Sequence, residues 1–315
     1  MNVLGFLLTK SQELKSPVDI DEALKYPLSP VPLAIAHADG EKRKTNKSAL
    51  YKFAFNSMPS SQTVEYSDGR NKVYILDLAA LLRSTVKVPD TFEDLAMKIY
   101  HSVPTTYTTI YVACDTYHTR SIKSPERRLR GEAEKLIIRS EKVKIPPNFQ
   151  QFLCNGENKE RLFELIEKTL IKNRELMIDD RTIYFARGTS CMKITKEGAT
   201  EMDDLKTDHE EADTKIAHLI QHAINSGTAV GEICVRSSSG DIDIPVILVG
   251  LFGTSETVIK VDNGTGKNRK IIRIDSSMLS GTQQKALVGF HAYTGNDCVK
   301  FFEKNEENVD IHSGE

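Results

Sequence analysis

Two short apolar runs that each close on an aspartate constrain this chain more than any other feature. They read VYILD at residues 73–77 and IYVACD at residues 110–115. Side chains alternate between the two faces of a strand, so a strand can be apolar at every position only when both faces are covered. The two runs therefore predict an α/β fold, with a mainly parallel central sheet held between helices in three layers. In such sheets the ligand site lies beyond the carboxyl ends of the strands, and that is where both aspartates fall.

The rest of the chain supports the alternation. The core begins at Asn71 and runs to residue 305, after an N-terminal extension over residues 1–70 that is expected to pack on it. An acidic tail occupies residues 306–315. Within the extension, Pro27, Pro30 and Pro32 mark a loop and residues 48–57 a short helix. A charged helix is expected from Pro125 to Arg139, with proline at its first turn. A second, amphipathic helix is expected from Glu157 to Arg174. RTIYFARG (181–188) is a further strand. Residues 209–226 form a helix, with Ala212, Ile216, Leu219, Ile220 and Ala223 at helical spacing, Asp208 as its N-cap and Gly227 as its stop. GEICVRSSSGDID (231–243) is a strand running into an acidic turn. Residues 256–275 form a β-hairpin around Asn263-Gly264. Residues 276–304 are helical with a break near Gly295.

Hydrophobic residues make up 39% of the 315 and charged residues 27%, which permits a sizeable buried core. The net charge of −2 neither favours nor excludes nucleic acid; segregation is more informative. Residues 123–144 carry Lys123, Arg127, Arg128, Arg130, Lys135, Arg139, Lys142 and Lys144 against four glutamates. The five cysteines are widely spaced and form no CxxC pair, so neither a zinc finger nor a disulfide framework is expected. Reduced thiols, together with no signal peptide and no long apolar run, imply an intracellular protein without a membrane partner.

Seven carboxylates carry the functional reading. Asp77 and Asp115 close the first two strands. Glu211 and Asp213 open the 209–226 helix. Asp241 and Asp243 form a D-x-D turn, and Asp297 follows in TGND. Hydrolysing a phosphodiester means bringing hydroxide to an already anionic centre. Two divalent ions about 3.5–4 Å apart can generate that hydroxide and stabilise both attacking and leaving oxygens. Mg²⁺ and Mn²⁺ take hard oxygen donors. The acids must come from several strand ends, because one strand cannot surround two ions.

The order and setting of these acids resemble the PIN-like fold in its flap-endonuclease/XPG branch. VYILD is similar to the first-strand aspartate of that family, and VACDTY to its second-strand FDG. EEADT resembles its EAEA helix start, SGDID its D-x-D pair, and GFHAYTGNDC its GxD segment. The chain resembles more closely a group of animal PIN-like proteins, some related to mobile elements. These share strings like HEEADT (209–214), SIKSPERRLR (121–130), GTGK (264–267) and GFHAYTGND (289–297). The resemblance covers roughly residues 20–305.

It implies a metal-dependent nuclease acting on DNA or RNA with two Mg²⁺ or Mn²⁺ ions. All seven acids would serve as ligands, directly or through water. It also implies a basic arch after Asp115, in which Lys123, Arg127, Arg128 and Arg130 would contact the phosphates. The inferred substrate points to the nucleus. Two departures stand out. Asn296 replaces the cysteine usual in the animal group. Flap-type enzymes carry a helical DNA-gripping module after the last acid, and 18 residues follow Asp297 here, so the chain is expected either to be a fragment or not to grip a duplex that way.

Other signals read more blandly. His218 and His222 have zinc-binding spacing but no metalloprotease glutamate between them, so they are surface or core histidines. GTGK lacks the rest of a phosphate loop. Glu201, Asp203 and Asp204 form a solvated acidic loop. Two rivals to the nuclease remain: a nuclease-derived module that binds nucleic acid or protein without cutting, and a phosphatase acting on small molecules.

Overall fold

The computed structural model describes residues 71–117, 134–178, 180–226, 230–237, 242–264, 269–276 and 279–294, and also Thr9, Gln12, Glu13 and Asp19. The chain divides into two compact units, residues 1–46 with 290–315, and residues 47–289. Nearly all described residues belong to the second unit.

That unit is built on an eight-stranded sheet. Its strands are β1 (Asn71–Asp77), β2 (Thr109–Ala113), β3 (Thr182–Arg187), β4 (Ser190–Ile194), β5 (Ala199–Glu201), β6 (Val230–Ser237), β7 (Val258–Asn263) and β8 (Lys270–Ile274). The spatial order is β5-β4-β3-β2-β1-β6-β7-β8. The five central strands, β3-β2-β1-β6-β7, are parallel. The outer strands β4, β5 and β8 join as antiparallel hairpins. The expected α/β architecture with a mainly parallel sheet is therefore present.

The alternation along β1 explains its unbroken apolar run. Tyr74 and Leu76 enter a core formed with α1 (Leu78–Ser84), α2 (Phe92–Ser102), α3 (Phe149–Phe152) and α4 (Gly156–Lys172). Val73 and Ile75 enter a second core, on the other face, with α5 (Ala212–Asn225) and α6 (Asp243–Phe252). Helices thus cover both faces. A last helix, α7, spans Gly281–Thr294. Ile75, Leu162, Phe163 and Ile220 are fully buried, and each such side chain contributes about 1.5–3 kcal/mol.

The helix starts are encoded locally. Asp77 caps α1 through Ala80 N–H, Thr91 caps α2 through Asp94 N–H, and Asn155 caps α4 through Asn158 N–H. Two sequence expectations need correction. The 209–226 helix begins at Ala212, with Glu211 rather than Asp208 in the cap position. Asp115 supplies the capping carboxylate from a distant strand, which displaces the local signal. Residues 134–139 are not helical; Asn158 binds both Glu134 O and Leu136 N, so side-chain hydrogen bonds replace the helical ladder there. RTIYFARG is a strand as expected, but it turns into the β4–β5 meander. Asp243, the second acid of the D-x-D pair, begins α6. The 157–174 helix and the 256–275 hairpin fall where expected.

Cys114, Cys154, Cys191 and Cys234 are free thiols. No described helix is long and apolar enough to cross a membrane.

Candidate functional site

The parallel strands β1, β2 and β3 are laid in one direction across the sheet. The chain then returns through α5 to place β6 on the other side of β1. The direction of winding reverses between β1 and β6. The loops leaving the carboxyl ends of two such strands diverge to opposite faces and leave a crevice between them. Asp77 stands at the β1 side of this crevice, and Ile242 and Asp243, which open α6, follow β6 in the chain.

Asp77 is buried, and its carboxylate accepts Ala80 N–H at 3.0 Å. One strand over, β2 pairs Ala113 with Asp77, and its pairing with β3 continues through Cys114 N–H to Ala186 O at 3.0 Å. Asp115 follows, half-buried. Its Oδ1 accepts Ala212 N–H at 2.9 Å, and its Oδ2 accepts the Tyr117 hydroxyl at 2.8 Å. Thr116 N–H donates to Glu210 O at 2.7 Å. Asp115 thereby caps α5 from another element, meeting an orphan amide and the positive end of the helix dipole. Because Ala212 lies between Glu211 and Asp213, this bond brings the start of α5 to Asp115. Three predicted acids are brought together there: Asp115, Glu211 and Asp213, all half-buried. Asp77 ends β1 one strand over, opposite Ala113, so Asp115 lies two residues further along the strand direction than Asp77. Asp243, in the first turn of α6, stands on the β6 side of the crevice.

Asp241, Asp297, Lys123, Arg127, Arg128 and Arg130 lie outside the described residues. Among the described residues, no group of three or more His, Cys, Asp or Glu side chains is arranged to hold a metal ion. The donor chemistry still suits a hard cation, since the five described acids offer only carboxylate oxygen. A carboxylate has about four acceptor sites, so the two bonds to Asp115 do not exhaust it.

The flanks of the basic stretch are described. Tyr117 N–H donates to Glu160 Oε1 at 2.8 Å, and Leu136 N–H donates to Asn158 Oδ1 at 2.8 Å. Asn158 Nδ2 returns a bond to Glu134 O at 3.0 Å. Tyr117, Glu134 and Leu136, which flank positions 118–133, are therefore hydrogen-bonded to the first turns of α4, and Tyr117 is two residues from Asp115.

Sequence reasoning missed Lys215. It is 1% exposed, and its ammonium donates to Cys114 O at 2.9 Å, Thr116 Oγ1 at 2.8 Å and Gly188 O at 2.9 Å. Three donors meet three oxygens, which satisfies a charge that would otherwise be costly to bury. Burial lowers its pKa from the ordinary lysine range, while Cys114 and Asp115 oppose that shift. Lys215 clamps the residues on both sides of Asp115 to the β3–β4 turn, where Gly188 takes φ 58°. A lysine four residues after Glu211 reads in sequence as an ordinary helix-surface charge, and nothing local points to oxygens far along the chain.

The histidine expectation holds for His222. Its Nδ1 lies 2.8 Å from the Tyr111 hydroxyl, and its Nε2 lies 3.4 Å from Asp204. In the acidic loop, Lys206 pairs with Glu201 and Asp203.

Comparison with protein-family models, with characterised proteins and with solved structures finds no match for this chain.

Proposed function

We propose that this chain is a PIN-like, divalent-metal-dependent nuclease that hydrolyses phosphodiester bonds of DNA or RNA. One observation carries the reading: acids chosen from separate sequence contexts, Asp77 at the end of β1, Asp115 just beyond β2 and Glu211 and Asp213 at the start of the helix that Asp115 caps, fall at the same carboxyl edge of one sheet. Asp77, Asp115, Glu211, Asp213 and Asp243 would hold the metal together with Asp241 and Asp297. The ions, when bound, supply a hydroxide at neutral pH and stabilise charge on the phosphoryl oxygens. The chain's own residues position these acids. Asp115 is fixed by Ala212 N–H and Tyr117, and Lys215 fixes the backbone around it. Lys123, Arg127, Arg128 and Arg130 would meet the phosphates from the stretch tethered beside Asp115.

A second reading has an observation in its favour. Asp77 and Asp115 both cap helices, and the described acids include no ready metal group. A nuclease-derived module that binds nucleic acid or a protein without cutting would keep such acids for structural reasons.

Labelled single-stranded, 5′-flap and hairpin DNA and RNA, incubated with Mn²⁺ or Mg²⁺, separate the two. Cutting that is lost in Asp241→Asn/Asp243→Asn supports the nuclease. Intact binding without cutting, unaffected by EDTA, supports the binding module. Hydrolysis confined to p-nitrophenyl phosphate would replace both with a phosphatase.

A further inference from the structure

The carboxyl edge is not acidic throughout. One row across the sheet holds Leu76 of β1, Arg236 of β6 and Asp262 of β7, directly below the level of Asp77. Asp262 is 2% exposed. Its Oδ1 accepts Arg236 Nη1 at 3.0 Å and Arg269 Nε at 2.8 Å, and its Oδ2 accepts Arg269 Nη2 at 2.8 Å. Arg236 Nη1 also donates to Asp262 O at 3.1 Å. Two guanidinium groups thus share one carboxylate, and the cluster keeps a net positive charge. The Arg236 side chain is 16% exposed, but that of Arg269 is 56% exposed.

A purely structural ion pair would be complete with one arginine. The second guanidinium is held by both oxygens of a buried carboxylate, with its outer edge turned toward water. This is how a protein preorganises a planar fork for an oxyanion: little side-chain freedom remains to be lost on binding. The position is also specific. Asp262 lies two strands from β1, roughly 10 Å at about 4.8 Å per strand.

We infer that Arg269, oriented by Asp262 and backed by Arg236, is a phosphate-binding subsite for the nucleic-acid backbone. It lies on the β7 side of the crevice, across from the β2 side where Asp115 stands. This inference rests on the nuclease reading above. By strand alternation the cluster lies on the face that Leu76 shares and Asp77 and Asp115 on the other, so a nucleic-acid strand passing over the edge from one face to the other would meet the acids and then a fixed cation beyond them. Arg269 would hold the backbone in register and take no part in the chemistry.

The test is binding of fluorescein-labelled single-stranded DNA and RNA in EDTA, followed by anisotropy as salt is raised, with cutting assayed separately in Mn²⁺. Loss of one phosphate contact flattens the slope of log K against log salt by about 0.7 and weakens binding about five-fold near 0.1 M salt. Arg269→Gln is expected to show both changes. Lys168→Gln, on the second half of α4, is expected to show neither. Arg269→Lys keeps the charge without the fork and serves if the glutamine variant folds poorly. It is expected to keep the slope while binding less tightly. Wild-type slope and affinity in Arg269→Gln, with cutting intact, would overturn this subsite and leave the nuclease reading standing. An equal change in Lys168→Gln would also overturn it, as general surface charge. A wild-type protein that neither binds nor cuts would overturn both.

Discussion

Asp115 and Asp262 occupy similar places in one sheet and are treated in opposite ways. Each stands at the carboxyl end of a parallel strand. Asp262 is buried and gripped by two guanidinium groups. Asp115 is half-buried, and the hydrogen bonds to its oxygens come from uncharged donors, Ala212 N–H and the Tyr117 hydroxyl. The nearest buried cation, Lys215, spends its three protons on Cys114 O, Thr116 Oγ1 and Gly188 O. At β7 the negative charge is cancelled and the carboxylate serves as a fastener. At β2 the charge is left in place beside Glu211 and Asp213, and the carboxylate is aimed rather than neutralised. Asp115 keeps its negative charge near the start of α5, which carries Glu211 and Asp213, a setting whose mutual repulsion a bound cation relieves.

The largest expected effect separates the two aspartates. Asp262→Asn leaves two guanidinium groups without their counter-charge and is expected to cost about 3 kcal/mol or more of stability, read as a lowered denaturant midpoint. Asp115→Asn is expected to lower cutting by about 10²-fold or more, with a change in stability of about 1 kcal/mol. The reverse pattern would break the comparison. Next in size is Lys215→Met, which strands three oxygens. Its expected cost is about 2–3 kcal/mol, with cutting reduced even at temperatures where the variant stays folded, because the residues flanking Asp115 lose their clamp. A stability loss with full activity would show that the clamp does not position the acid. Tyr117→Phe removes one hydroxyl from Asp115 and should cost about 1 kcal/mol, with a measurable weakening of Mn²⁺ binding.

The smallest effect concerns pH. Burial holds the His222 imidazole below its ordinary range, with Asp204 opposing that shift and His218 and Lys193 adding to it. The unfolded chain therefore takes up this proton more readily than the folded one. The contribution of His222 is fully present above about pH 6.5 and is lost as pH falls through the lower folded value. Thermal melts from about pH 7.5 to 5.5 should show a shallower decline for His222→Gln than for the wild type.

Much of the frame was legible in the sequence because it depends on short-range pattern. VYILD and IYVACD announce strands covered on both faces, and the spacing from Ala212 to Ala223 announces a helix. The α2 start, Thr91 with Asp94, was equally local and went unread, as did the meander signalled by Gly188 and Gly198. The described acids were legible as a set, since each lies at or beside the end of an element. What joins them was not. Asp115 meets Ala212 across 97 positions, and Lys215 meets Cys114 across 101. Contacts at such separations leave no mark in local periodicity. Asp262 and Arg269 lay inside the predicted hairpin, yet the pairing of Asp262 with Arg236 depends on β6 and β7 being neighbours.

The most direct test is calorimetric titration of Mn²⁺ into EDTA-treated, dialysed protein, comparing wild type, Asp262→Asn and Asp115→Asn/Asp243→Asn. The account predicts binding of two ions by the wild type, the same two by Asp262→Asn while it stays folded, and loss of binding in the double variant. No binding by the wild type, or equal binding by a folded double variant, would contradict it.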